Sequence, residues 1–325
     1  MRSWFVRVLV GVAMIVPATA SGENYYTLIV VGATGGPSYV ETFDRWRQTL
    51  VTALRSQEGF RDGHLIVLSE TPGPGVGRAS QAGVAQAVET LADRMTADSV
   101  LLIVLLGHGT YDGVDAKFNL VGPDLEASAW DALLDTLPGR IVVVNTTAAS
   151  APFVRRLAQT GRVVISATES AVQRYDTIFP EFFVRALAEA AADTDKNGRV
   201  SVWEAFEFTS AEVRRWYQQQ GRLATERSIL DDTGDGVGRD VDQRGQDGAV
   251  AARTYVGAGV EVSAVVADPS LTPLVVQRDE LEAAVAELQA RKETMDAEAY
   301  TVELERLLVD LAKVSREIRR RLTTS

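Results

Sequence analysis

Short, uninterrupted apolar runs set the limits on what this chain can fold into. They are YTLIVV at residues 26–31, HLIVLS at 64–69, SVLLIVLL at 99–106, RIVVVN at 140–145 and RVVISA at 162–167. Runs without polar alternation fit strands buried on both faces, as in a parallel sheet. The intervening segments have helical spacing. Residues 40–55 put Phe43, Trp46, Leu50 and Leu54 on one face, and Ser80 can cap a helix to about Met95 with Val84, Val88 and Leu91 as its stripe. Residues 127–137 and 152–159 read as short helices, and TPGPGVG at 71–77 as a loop. The predicted fold class is α/β: a mainly parallel sheet in three α/β/α layers with right-handed crossovers. Sites in such sheets gather beyond the carboxyl ends of the strands.

Further along, 179–192 reads as a helix, followed by an acidic loop and a helix to about Gln220. Residues 231–248 form a long Asp- and Gly-rich loop, and 254–266 one or two short strands. From residue 273 two amphipathic helices are predicted, joined near 295–298. Leu281, Val285 and Leu288 form one stripe; Leu304, Leu308, Leu311, Val314 and Ile318 form the other. Their three-and-four spacing suits a coiled-coil-like hairpin. Packing in cis and self-association both remain open.

The first twenty residues carry the pattern of a secretory signal: Arg2 and Arg7, an apolar stretch at 8–16, and Ala18-Thr19-Ala20 as a cleavage site. The expected location is periplasmic or secreted, with no stable membrane insertion, since a span needs about 20 apolar residues. The domains expected are then a leader at 1–20, an α/β domain at 25–268 and a hairpin at 273–325. There are no cysteines, which excludes disulfides and a thiolate nucleophile. A net charge of -11 argues against nucleic acid and favours cations.

The most specific motif is DTDKNGRVSVWE at 193–204. Asp193, Asp195 and Asn197 occupy positions 1, 3 and 5 of an EF-hand-type calcium loop, with Gly198 at the turn. Arg199 supplies a carbonyl, Ser201 a hydroxyl and Glu204 a bidentate carboxylate, so Ca2+ is the expected cofactor. Asp231, Thr233, Asp235 and Asp242 repeat part of the pattern, with Asp in place of the terminal Glu. That segment is open between a second calcium site and an acidic loop.

His108 follows the third strand between Gly107 and Gly109, where a general base would stand and where glycines would admit a substrate backbone. A packing role for it is equally open. The glycines at 32–36 lack the order of a phosphate-binding motif and read as a tight turn.

VVGATGG, LLGHGTYDG and VVVNTTAAS, each closing a strand, resemble the caspase fold, with legumain-like (hemoglobinase-type) cysteine peptidases as the nearest branch. The resemblance spans about residues 25–183. It implies that His108 pairs with a nucleophile closing the next strand, and Thr147 stands where that cysteine would be. Asn145 and Ser150 are candidate helpers; Thr168, Glu169 and Arg174 are candidates to line the cleft. The expected function is a calcium-binding exported pseudo-peptidase acting as a binding or scaffolding module. Its partner would be a protein or peptide in the cleft or along the C-terminal helices. The alternatives are a hydrolase using Thr147 with His108, and a calcium-stabilised assembly protein acting through its C-terminal helices.

Overall fold

The computed structural model describes residues 24–57, 60–243, 245–257, 269–291 and 295–322. The expected leader and most of the 254–266 strand segment lie outside these residues.

The apolar runs become the centre of a sheet. Strands β1 (Asn24–Val31), β2 (Leu65–Ser69), β3 (Val76–Arg78), β4 (Ser99–Leu106), β8 (Arg140–Asn145), β9 (Arg162–Ser166) and β10 (Ile229–Asp231) lie in the order β10-β9-β8-β4-β1-β2-β3. All neighbours are parallel except β10, which runs antiparallel to β9. β4 sits in the middle, and every one of its residues is buried.

Successive side chains on a strand point to opposite faces, and each face has its own core. Ile29, Val104, Val144 and Ile165 pack with helices α1 (Pro37–Arg55), α5 (Phe179–Ala188) and α6 (Val202–Gln219). Leu28, Ile103, Val143 and Val164 pack with α2 (Gln81–Ala92), α3 (Ala127–Leu134) and α4 (Ala151–Leu157). Each fully buried Val, Leu or Ile contributes about 1.5–3 kcal/mol. The three-layer α/β/α architecture expected from the sequence is the one observed, and Ser80 caps α2 by accepting from Gly83 N at 3.2 Å.

Several boundaries differ from expectation. α3 stops at Leu134 because Pro138 disfavours helix before it. α5 stops at Ala188, where Glu189 turns extended and a 3-10 turn (Ala190–Ala192) leads into the acidic loop. β3 takes up the end of the predicted 71–77 loop, within which Gly73 and Val76 form an isolated antiparallel bridge. A small antiparallel sheet, β5 (Gly109–Tyr111), β6 (Ala116–Phe118) and β7 (Leu125–Glu126), follows β4.

The C-terminal pair consists of α7 (Thr272–Ala290) and α8 (Ala297–Leu322). The seam of α8 uses Leu307, Leu311, Val314 and Ile318, all buried; Leu308 is 40% exposed. Leu307, rather than the predicted Leu308, continues the three-four spacing from Leu304, so it takes the seam position. Among the described residues, no helix is long and apolar enough to cross a bilayer.

Candidate functional site

The 193–204 loop joins the 3-10 turn after α5 to the start of α6. Asp193 accepts from Asn197 N at 3.1 Å and Gly198 N at 3.0 Å. Asp195 accepts from Asn197 N at 2.9 Å, and Asn197 Oδ1 accepts from Arg199 N at 2.8 Å. These bonds curl the backbone around its own acidic side chains. Gly198 at φ 92 makes the turn that a Cβ would strain. Ser201 caps α6 in a reciprocal capping box with Glu204.

Oxygens of Asp193, Asp195 and Glu204 all lie within 4.8 Å of one another. Calcium–oxygen bonds of about 2.3–2.6 Å let such oxygens meet on one ion. Desolvation first, and then the charges of Glu204, Glu282 and Asp193, push the Asp195 carboxyl up to about 7. A bound cation would remove that repulsion. Of the remaining expected ligands, Asn197 is buried, Ser201 is engaged as the helix cap, and Arg199 follows in the loop. The buried Glu204 accepts from Thr194 N and Oγ1 at 2.9 Å and from Ser201 N and Oγ at 2.9 Å.

Glu282 on α7 was not foreseen from sequence. It accepts from Asn197 Nδ2 at 3.1 Å, Arg199 Nη2 at 3.2 Å and the Tyr255 hydroxyl. The Arg199 guanidinium also stacks 3.5 Å from the Tyr255 ring centroid. Tyr255 reaches the loop through backbone pairing: Val256 N donates to Val200 O, and Val202 N to Thr254 O.

The second acidic segment begins in the same way, with its first carboxylate receiving the N–H of the glycine five residues on. Asp231 is filled by backbone donors: Thr233 N at 3.0 Å, Gly234 N at 2.8 Å and Gly236 N at 2.8 Å. Thr233 Oγ1 adds a bond to the same carboxylate at 3.2 Å. Asp235 pairs with Arg239 at 2.8 Å, and Asp242 with Arg214 at 2.9 Å. Asp231, Asp235 and Asp242 do not converge into a group comparable to Asp193, Asp195 and Glu204 among the described residues. The segment is instead pinned by Asp232, which accepts from Gly248, Val250 and Ala251 N at 2.7–2.9 Å.

His108 stands just past β4, beside the turn that follows β1. Its Nε2 lies 3.1 Å from the Thr34 carbonyl, an acceptor, so Nε2 carries the proton. Nδ1 faces Asp176 at 3.5 Å, and Asp176 also accepts from the Tyr39 hydroxyl at 2.5 Å. The ring packs edge-on against Tyr39. Thr147, closing β8, is 1% exposed and donates its hydroxyl to Asn145 Oδ1 at 2.8 Å. Its proton is thus directed to an amide oxygen, and both ring nitrogens of His108 face oxygen acceptors, the Thr34 carbonyl and the Asp176 carboxylate.

Gly109 lies against the loop that follows β8. A Cβ there would sit 2.3 Å from Thr147 Oγ1 and 2.4 Å from Ala148 O, so its bareness admits the neighbouring loop. Ser150 donates to Thr147 O at 2.7 Å, and Ser150 N donates to Thr168 Oγ1 at 3.1 Å, all of it buried. Glu169 pairs with Arg227 at 3.4 Å, and Arg174 is exposed. A cavity of about 490 Å³ lies beside Thr34, whose carbonyl meets His108, and is lined by Thr34, Phe43, Arg47 and Glu70 among others. Glu70 there accepts from Thr34 N at 3.1 Å and from its hydroxyl at 2.5 Å.

No family model matches this chain, and no curated protein matches it. Among solved structures, protein GSU0716 from Geobacter sulfurreducens aligns with a TM-score of 0.43 and 15% identity, covering 64% of this chain and 92% of that chain.

Proposed function

We propose that this chain is an exported, calcium-stabilised relative of legumain-like peptidases that works as a binding or scaffolding module without peptidase chemistry. The meeting of Asp193, Asp195 and Glu204 oxygens within 4.8 Å carries the metal half of this reading. The ion is calcium because the loop offers oxygen only and follows the EF-hand ligand order. Zinc would call for imidazole or thiolate, and magnesium for a tighter octahedron that keeps its waters. Sites in extracellular modules bind at about 10⁻⁴–10⁻³ M, which suits a structural ion.

The loss of peptidase chemistry is supported by the hydrogen bonding of Thr147. A threonine hydroxyl needs a base within hydrogen-bond reach, and the hydroxyl of Thr147 is committed to Asn145. The peptidase descent is supported by strand order: His108 and Thr147 close β4 and β8, which are direct neighbours. The leader motif at residues 1–20 supports export.

Calorimetry with calcium tests the first half. Wild type gives saturable heat. Glu204→Gln, which keeps the capping box because Gln can make the same reach, loses affinity by more than about tenfold. Equal heats in both proteins would refute calcium binding at this loop. Peptide-library cleavage tests the second half: turnover by wild type that disappears in His108→Ala would establish a hydrolase instead.

A further inference from the structure

The C-terminal hairpin is outside both cores. Among the described residues, none of the apolar side chains of 272–322 belongs to either sheet-face cluster; Leu307, Leu311, Val314 and Ile318 are buried within the helical pair. What joins the hairpin to the acidic loop is polar, and it converges on Glu282, whose side chain is 8% exposed. Arg278, one turn earlier on α7, adds a fourth contact at 3.4 Å.

Two of Glu282's partners are expected calcium ligands. Glu282 and Asp195 share the Asn197 Nδ2 group, at 3.1 and 3.0 Å, so Glu282 holds the Asn197 side chain beside a carboxylate of the proposed metal group. By holding the Arg199 guanidinium against Tyr255, it fixes the residue whose carbonyl is the next ligand. We propose that Glu282 is a positioning residue of the metal loop, so that ion occupancy and docking of the C-terminal hairpin form one coupled equilibrium. This rests on the calcium reading above. Groups that orient metal ligands change affinity by about 10–100-fold when altered. Coupling is reciprocal, so calcium tightens hairpin docking by the same factor. A recess of about 320 Å³ bordered by Arg140, Arg199, Tyr255 and Glu282 opens beside this junction.

The test is calcium calorimetry on the full chain, wild type beside Glu282→Gln, with hydrogen exchange across 272–322 in calcium and in chelator. The coupling requires about 10–100-fold weaker binding in the variant. It also requires calcium-dependent protection of the hairpin in wild type that the variant lacks. Should Glu282→Gln fail to fold, Arg199→Lys makes the same test from the loop side, since lysine keeps the charge but loses the fork and the stack. Unchanged affinity with calcium-independent exchange would overturn the coupling and leave the calcium loop standing. No calcium heat in wild type would overturn the calcium reading and the coupling together.

Discussion

Glu226 sits 3% exposed at the mouth of α5, accepting from Ile178 N at 2.9 and 3.1 Å with its two oxygens. Burial pushes its carboxyl up to about 7, against the lowering pull of the Ile178 and Phe179 N–H groups. The folded state therefore holds this proton more tightly than the unfolded chain, whose value is 4.5. The associated stabilisation is full below about 4.5 and is lost as pH rises through about 7. Urea midpoints of wild type should fall across that window relative to Glu226→Gln, whose amide does not titrate; parallel pH trends would refute this. Gly109 makes a second case at this scale. Gly109→Ala must displace Thr147 or the Ala148 carbonyl, and should cost about 1–3 kcal/mol by urea unfolding.

At the scale of elements, Ser201→Ala removes the α6 cap and should lower stability by about 1 kcal/mol in chelator, measured by thermal unfolding. The long elements were legible because their signals are long. β4 has seven apolar residues in a row after Ser99, and α1 repeats its stripe over several turns. What the sequence hid is short: β5, β6 and β10 have three residues each, too few to show a period, and pairing alone makes them strands. The same division holds at the site. The loop's spacing announced Asp193, Asp195 and Glu204, whereas Glu282 lies 85 residues from Asn197 and meets it only after folding. In the second acidic segment the same spacing is present, but Asp235 and Asp242 pair with Arg239 and Arg214, contacts that the ligand spacing does not specify.

For the whole molecule, the segregation of cores predicts unequal stability. Ile318→Ala should cost the hairpin about 2–5 kcal/mol. Hydrogen exchange should then rise across 272–322 while β1, β4 and β8 keep their protection; loss of protection in the sheet would show that the hairpin supports it directly. The sheet also ends, on both sides, in strands of three residues, β3 and β10. A second molecule approaching either border finds almost no ladder of free amides and carbonyls to extend. Crowded copies of this protein are thereby denied the easiest route into fibres, whatever else they bind.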